Sequence, residues 1–366
     1  MRIINHGRIL TVFWIGVANY GLASELPPLA RIGAAGLLQA ELIYPLEGRQ
    51  TPECHASTVA ETPTGLVAAW FGGAHEKNPD VGIWISRHIE DRWMRPVLVA
   101  DGSEGEDQDY ACWNPVLFQP RAGPLMLFYK VGLEPRRWWG VVVTSNDGGE
   151  SWSPPRKLGT NDLLPAQNRN LLGPVKNKPI ALSDGTLLCP SSTENDGWRV
   201  HFEQTRDLGQ TWEVTGPIND ASKFNAIQPT ILTHADGRLQ ALCRTQEDVI
   251  VESWSEDNGR NWSPLTATSL PNPNAGFDGV SLADGRLLLV YNHSVRRDGL
   301  SGRQNLNVAL SDDGEHWEIV LTLENDGDRT GYSYPAAIQA SDGKVHVTYT
   351  WRCLSIKHVV LDTDEL

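Results

Sequence analysis

The sequence predicts an all-β fold, a six-bladed β-propeller of four-stranded antiparallel blades. Three observations carry the expectation: a polar turn ending in tryptophan that is written again and again, six glycine-centred hairpins interleaved with it, and an apolar run near the N-terminus placed to close a ring.

The turn reads SNDGGESW at 145–152, TRDLGQTW at 205–212, SEDNGRNW at 255–262 and, one residue shorter, SDDGEHW at 311–317, while SRHIEDRW at 86–93 keeps only its ends. A spacing of roughly 50–60 residues marks an internal repeat. Between the turns lie apolar runs broken by Gly65, Gly123, Gly185, Gly237, Gly285 and Gly343. Glycine supplies the positive φ of a tight turn, and Val, Ile, Leu and aromatic residues fill the flanks, so each run is a hairpin. A third strand such as VGIWIS (81–86) or GVVVTS (140–145), then the polar turn, then a fourth strand, completes a blade. The last repeat lacks its fourth strand, and LLQAELIYPL (37–46) can supply it, removing an exposed edge. Within the turn, Ser and Asp bond local backbone, Gly turns left-handed, and Trp folds back between neighbouring strands as a peg for its hairpin. Ligand binding by this turn is the weaker reading.

At 366 residues with 40% hydrophobic content, the chain is long enough for a large core. The start carries Arg2 and Arg8, an apolar stretch from Ile9 to about Ala18, and small residues Gly21 and Ala23. It reads as a secretory signal peptide over 1–23, leaving 24–366 as one propeller domain in the periplasm or outside the cell. A buried N-terminal helix is the bland alternative, and no other segment suits a membrane span. Cys54, Cys112, Cys189, Cys243 and Cys353 stand singly and are expected to be buried apolar side chains. Scattered histidines without an HExxH or HxH pair suggest no metal, and no cofactor is expected. A net charge of −14 argues against nucleic acid and anionic membrane surfaces as partners, and a monomer is expected.

Strand direction alternates within a blade, so inner-strand entrances and second-to-third loops share one rim and the Trp-ended turns lie on the other. The first rim is rich in polar and aromatic residues: His55, His75, Glu76 and Asp80; Trp113, Asn114 and Lys130; Lys176, Asn177, Lys178 and Glu194; Gln228 and Arg244; Asp278, Asn292 and Arg303; Tyr332, Tyr334 and Arg352. Cations gathered on one rim of an acidic protein suit an anion, arginine forks suit a carboxylate, and tryptophans suit the apolar face of a sugar. Ordinary loop charge is the competing explanation for any one of these residues.

The four S/T-x-D-x-G-x-x-W-like turns on a six-blade plan resemble the Asp-box repeats of the sialidase (neuraminidase) superfamily, over nearly all of residues 40–362. The resemblance implies a glycoside hydrolase for a terminal carboxylate-bearing sugar, such as sialic acid, on an acidic oligosaccharide or glycoconjugate. In that family a tyrosine nucleophile is activated by a glutamate, three arginines hold the substrate acid, and an aspartate protonates the leaving group. By resemblance, Asp80 in NPDVGIW stands at the acid, Arg244 in QALCRT and Arg303 in GRQNLNVALS at two clamps, and Tyr332 in GYSYPAAI at the nucleophile, with Tyr334 its close rival. Two positions depart: CHAST puts His55 where the first clamp arginine belongs, and NAIQPTIL puts Gln228 where the activating glutamate belongs. Phenol has a pKa near 10, so without a base only about one molecule in a thousand is ionised at pH 7. Glu194 is a substitute carboxylate by rim position, and His55 a group that titrates in a useful range. Trp113, Asn114, Lys176, Gln228 and Asn292 are the remaining substrate-binding candidates. Two alternatives stay open: a uronate lyase using His55 or Tyr334 as base, and a carbohydrate-binding propeller without catalysis.

Overall fold

A computed structural model describes residues 26–103, 109–159, 172–297 and 299–366; the expected signal segment lies outside the described residues. Six antiparallel sheets follow one another along the chain in propeller arrangement. Their inner strands are Glu53–Thr62, Cys112–Phe118, Ile180–Ala181, Ala226–Thr233, Asp278–Ser281 and Tyr332–Gln339, for blades one to six. Blade one departs from the four-strand plan, because both Arg92–Trp93 and Val97–Ala100 pair with its third strand, Gly82–Ile89. The ring closes as the sequence suggests. Leu37–Leu42 runs antiparallel to Ser355–Leu361 and supplies the fourth strand of blade six.

The polar turns show why they end on tryptophan. In 145–152, Ser145 Oγ donates to Asp147 Oδ1 at 2.7 Å and accepts from Gly149 N at 2.8 Å. Asp147 Oδ1 also accepts the backbone N–H groups of Glu150 and Ser151 at 3.0 and 2.9 Å. These bonds, that of the Ser151 hydroxyl foremost, hold the Asp147 carboxyl well below the ordinary carboxylate range. The Thr205, Ser255 and Ser311 turns repeat the pattern, and the indoles of Trp212, Trp262 and Trp317 donate to Gly209, Gly259 and Gly314 carbonyls at 3.0, 3.0 and 2.9 Å. The peg reaches further than its own hairpin. Trp262 of blade four stacks on Phe202 of blade three at 4.0 Å, and Trp212 of blade three meets Phe128 of blade two edge-on at 6.3 Å. Each of these turns therefore fastens its blade to the preceding one.

Inner strands are joined around the axis by side chains as well as by packing. Thr350 Oγ1 of blade six accepts from Ala56 N of blade one at 2.9 Å, and Thr58 Oγ1 accepts from Leu117 N of blade two at 3.1 Å. Buried Asp278 of blade five accepts from Lys178 Nζ (2.8 Å), Thr230 Oγ1 (2.8 Å) and Ala337 N (2.9 Å), tying blades three, four and six. Burial alone would raise its pKa, but Lys178 and Lys176 hold the Asp278 carboxyl below the usual value. All five cysteines are free thiols, four of them buried. Among the described residues no helix is long and apolar enough to cross a membrane.

The seam between blades six and one carries a histidine cluster. Trp93 Nε1 donates to His358 Nδ1 at 3.2 Å, which leaves the proton of neutral His358 on Nε2, 3.0 Å from His346 Nδ1. The two rings stack at 5.3 Å, with Asp342, Glu41 and His88 around them. Burial first, then the neighbouring His358 ring, lowers the pKa of both His346 and His88.

Two outcomes follow from these contacts. Trp212→Ala empties a largely buried site between blades and should lower unfolding free energy in urea by about 3 kcal/mol. Because the folded state lowers the pKa of His346 and His88, the unfolded chain binds more protons as the pH falls through about 6.5, so stability falls as the solution is acidified. Melting temperatures should drop between pH 7.5 and 5.5, less steeply in His346→Gln; an equal slope in the two proteins would contradict the seam's role.

Candidate functional site

A bend at the start of the inner strands builds the site. Ala56, Asn114, Lys176, Gln228 and Tyr334 all have φ between 42° and 71°, a left-handed conformation unusual for residues with a Cβ. In blades one, two, four and six this bend coincides with a break in strand register, between His55 and Thr58, Trp113 and Val116, Ile227 and Thr230, and Ser333 and Ala336. Gly276 has no Cβ, and one added there would lie 3.2 Å from the Tyr334 ring and 3.3 Å from Gln228 Oε1. Gly276 therefore packs directly against those two side chains.

Arg244, at the end of the second strand of blade four, lies at the centre. Its Nη1 donates to Tyr334 Oη at 2.6 Å and to Gln228 Oε1 at 3.0 Å, and its Nε donates to Asn274 Oδ1 at 2.7 Å. Arg303 enters from blade five; its Nη2 donates to the Asn274 carbonyl at 3.0 Å and its guanidinium carbon lies 5.7 Å from the Tyr334 ring centroid. Burial, with Arg244 adding to it, lowers the Arg303 pKa. The Trp198 ring lies 5.2 Å from the Arg244 guanidinium carbon. On the other side, the His55 ring is 4.4 Å from that of Tyr334, and its Nδ1 is buried without a hydrogen-bond partner. Beside it, His55, Glu76, Arg303 and Cys353 line a cavity of about 130 Å³.

Several sequence expectations are corrected here. Tyr332 and Tyr334 are two residues apart and would share a face in a regular strand, but the register break separates them. Tyr332 is buried with its hydroxyl accepting from Arg352 Nε at 3.1 Å, and burial followed by the Asp326 hydrogen bond raises its pKa. Tyr334 is the tyrosine that meets Arg244. Asp80 folds back on its own loop, where both carboxylate oxygens accept from Ala74 N at 3.1 Å. Trp113 is buried in the blade core and donates to the Gly132 carbonyl at 2.9 Å, so it offers no stacking face. The Lys176 ammonium is consumed by Asn177 Oδ1 and the carbonyls of Phe277 (both 2.7 Å) and Pro335, a knot of blades three, five and six, and burial lowers its pKa to about 7. Asn292 donates to the carbonyls of Asn305 and Tyr332 and serves as a structural tie. His55 does not titrate in the useful range: burial, then Arg303 and Arg244, lowers its pKa to about 3. It is a neutral ring at neutral pH. Asn114 is buried at its left-handed bend. Glu194 is half-buried, and its surroundings raise its pKa against the pull of Arg244.

Sequence reasoning missed Asn274 and Gly276, whose only signal was the turn-rich NPNAG stretch, and gave Glu76 no role beside Asp80 in the same loop.

These features define an Asp-box propeller with one polar mouth. Residues 64–347 match the family model described as a BNR repeat-like domain, and the chain belongs to that family. No curated protein matches it by sequence. Among solved structures, a protein of unknown function from Dyadobacter fermentans DSM 18053 is 17% identical, with TM-score 0.71, over 89% of this chain and 98% of that one. The intramolecular trans-sialidase from Ruminococcus gnavus, solved with oseltamivir carboxylate, is 15% identical with TM-score 0.70 over 91% and 99% of the two chains. The NanB sialidase from Streptococcus pneumoniae is 13% identical with TM-score 0.70 over 89% and 71%. At these identities the likeness shows a shared sialidase-type propeller fold.

Asn274 orients both guanidinium groups, one through its side chain and one through its carbonyl. Asn274→Gly keeps the left-handed backbone and removes the bond to Arg244. Calorimetry with N-acetylneuraminic acid and with glucuronic acid should show the affinity of whichever acid binds wild type falling about 10-fold or more, the worth of one hydrogen bond to a charged group. Unchanged affinity would remove Asn274 from the site.

Proposed function

We propose that the chain is a sialidase-like glycoside hydrolase acting on a terminal, carboxylate-bearing sugar, with Arg244 and Arg303 on the carboxylate and Tyr334 as nucleophile. The carrying observation is the 2.6 Å hydrogen bond from Arg244 to Tyr334 Oη, with Arg303 against the same ring. Two guanidinium groups fixed beside a phenol suit an anionic sugar. They also favour negative charge developing on the phenol oxygen as it attacks or leaves. The neutral His55 ring stands against the Tyr334 ring in place of a third cation, with its Nδ1 buried. Export belongs to this reading and rests on the N-terminal sequence alone.

A second reading, elimination from a uronate, is favoured by Gln228, which accepts from Arg244 and cannot take a proton, with Tyr334 as the remaining candidate base. The two chemistries differ by one water. Incubation with a panel of acidic oligosaccharides, read by mass and near-ultraviolet absorbance, should give products heavier in sum by one water and without a new chromophore. An absorbing product lighter by that water establishes elimination; saturable binding with no product establishes a binding propeller.

Tyr334→Phe should slow turnover at least ~10²-fold with little change in melting temperature, whereas Tyr332→Phe stays near wild type. Full activity in Tyr334→Phe would end the hydrolase assignment of that residue.

A further inference from the structure

Departure of a sugar alcohol needs a proton donor, because an alkoxide is a poor leaving group, and both carboxylate oxygens of Asp80 are held on Ala74 N. The loop that holds it offers another carboxylate. Between Gly65–Gly73 and Gly82–Ile89, the chain is fixed by Asp80 on Ala74 N, by His75 Nδ1 against the Glu76 carbonyl at 2.9 Å, and by Asn78 N on the His75 carbonyl at 3.1 Å. Lys77 between them takes φ 78°. So braced, the loop sets Glu76 in the wall of the cavity that also contains His55 and Arg303, while Asp80 is not among the residues of that wall.

Resting on the hydrolase reading, we propose that Glu76 is the acid that protonates the leaving-group oxygen, and that Asp80 is a positioning residue that holds its loop. In the first half-reaction the Glu76 proton passes to the glycosidic oxygen. That oxygen keeps the electron pair of its breaking bond to the anomeric carbon and departs as an alcohol. The Tyr334 oxygen bonds to the carbon, and its proton goes to solvent water. In the second, a water attacks the anomeric carbon and gives a proton to the Glu76 carboxylate, while the tyrosine oxygen leaves and regains a proton from solvent. One water is consumed and the side chains return to their starting forms. Glu76 is exposed at the rim of the cavity, where partial loss of hydration raises its pKa against Lys77, Arg303 and Arg244. A larger share of it is therefore protonated than of an ordinary surface glutamate at the same pH.

The test uses N-acetylneuraminic acid and glucuronic acid, each as its 4-nitrophenyl and its methyl glycoside. Nitrophenolate leaves without a proton, so in a single turnover Glu76→Gln should release nitrophenolate within about tenfold of wild type while release of methanol from the methyl glycoside slows ~10²-fold or more. Wild-type cleavage of the methyl glycoside should decline as pH rises through the Glu76 pKa, and Glu76→Gln should lack that limb. Asp80→Asn, which only loosens the loop, should slow both glycosides alike. Wild-type rates on both substrates in Glu76→Gln, or leaving-group selectivity in Asp80→Asn instead, would overturn the assignment. If the wild-type protein cleaves none of the four, the hydrolase reading fails separately, and carbon-13 NMR of the Glu76 carboxyl still decides its placement. A pKa above the ordinary glutamate value that climbs further in Arg303→Met supports Glu76 at the site. An ordinary value indifferent to Arg303 overturns it.

Discussion

Everything at the mouth depends on a backbone constraint: the inner strands enter through residues forced into left-handed conformation. Such a bend costs roughly 1–2 kcal/mol at a residue with a Cβ, and the surrounding hydrogen bonds must sustain it. Here Thr350 holds Ala56 N at 2.9 Å, Ser192 holds Gln228 N at 3.3 Å, and Asn177 spans the Gln228 and Pro229 carbonyls at 3.0 and 3.1 Å. The bend breaks the strict alternation of the strand. It lets Tyr334 and Gln228 meet across blades at Arg244, which neither would reach from a regular ladder.

Below that layer the axis is filled by charge and amide groups with paired partners. Lys176 draws carbonyls from blades five and six, and Asp278 draws donors from blades three, four and six. Buried charges of this kind are tolerated because their desolvation is offset by close, well-directed partners. They supply little that a substrate can use. They do fix the height and rotation of four blades relative to one another, and with them the spacing of the arginines above. The tryptophan turns do the same work on the opposite rim, blade by blade, so the ring is clamped at both ends.

What meets at the mouth is a pair of guanidinium groups around the phenol of Tyr334. Gln228 is committed to Arg244, and His55 is kept uncharged by burial and by two guanidinium neighbours. Two carboxylates stand near these arginines, Glu76 with Arg303 in the cavity wall and Glu194 in the field of Arg244, each with its pKa raised by its surroundings.

Repeat spacing, hairpin glycines and the Ser-x-Asp turns were enough to read the six blades and the closing strand Leu37–Leu42, because they are local signals that recur and each has a local physical cause. The rim that gathers Arg244, Arg303 and His55 followed from strand alternation alone. What the chain's order of residues did not reveal was direction at single positions. Tyr332 against Tyr334 turned on one left-handed residue, and the fates of Lys176, Trp113 and Asn292 on carbonyls contributed by other strands. The amino-acid sequence determined the architecture and the side on which polar groups collect, since both are periodic. Only the tertiary structure decided which of those groups face one another, because that depends on bends and long-range partners that leave no period to read.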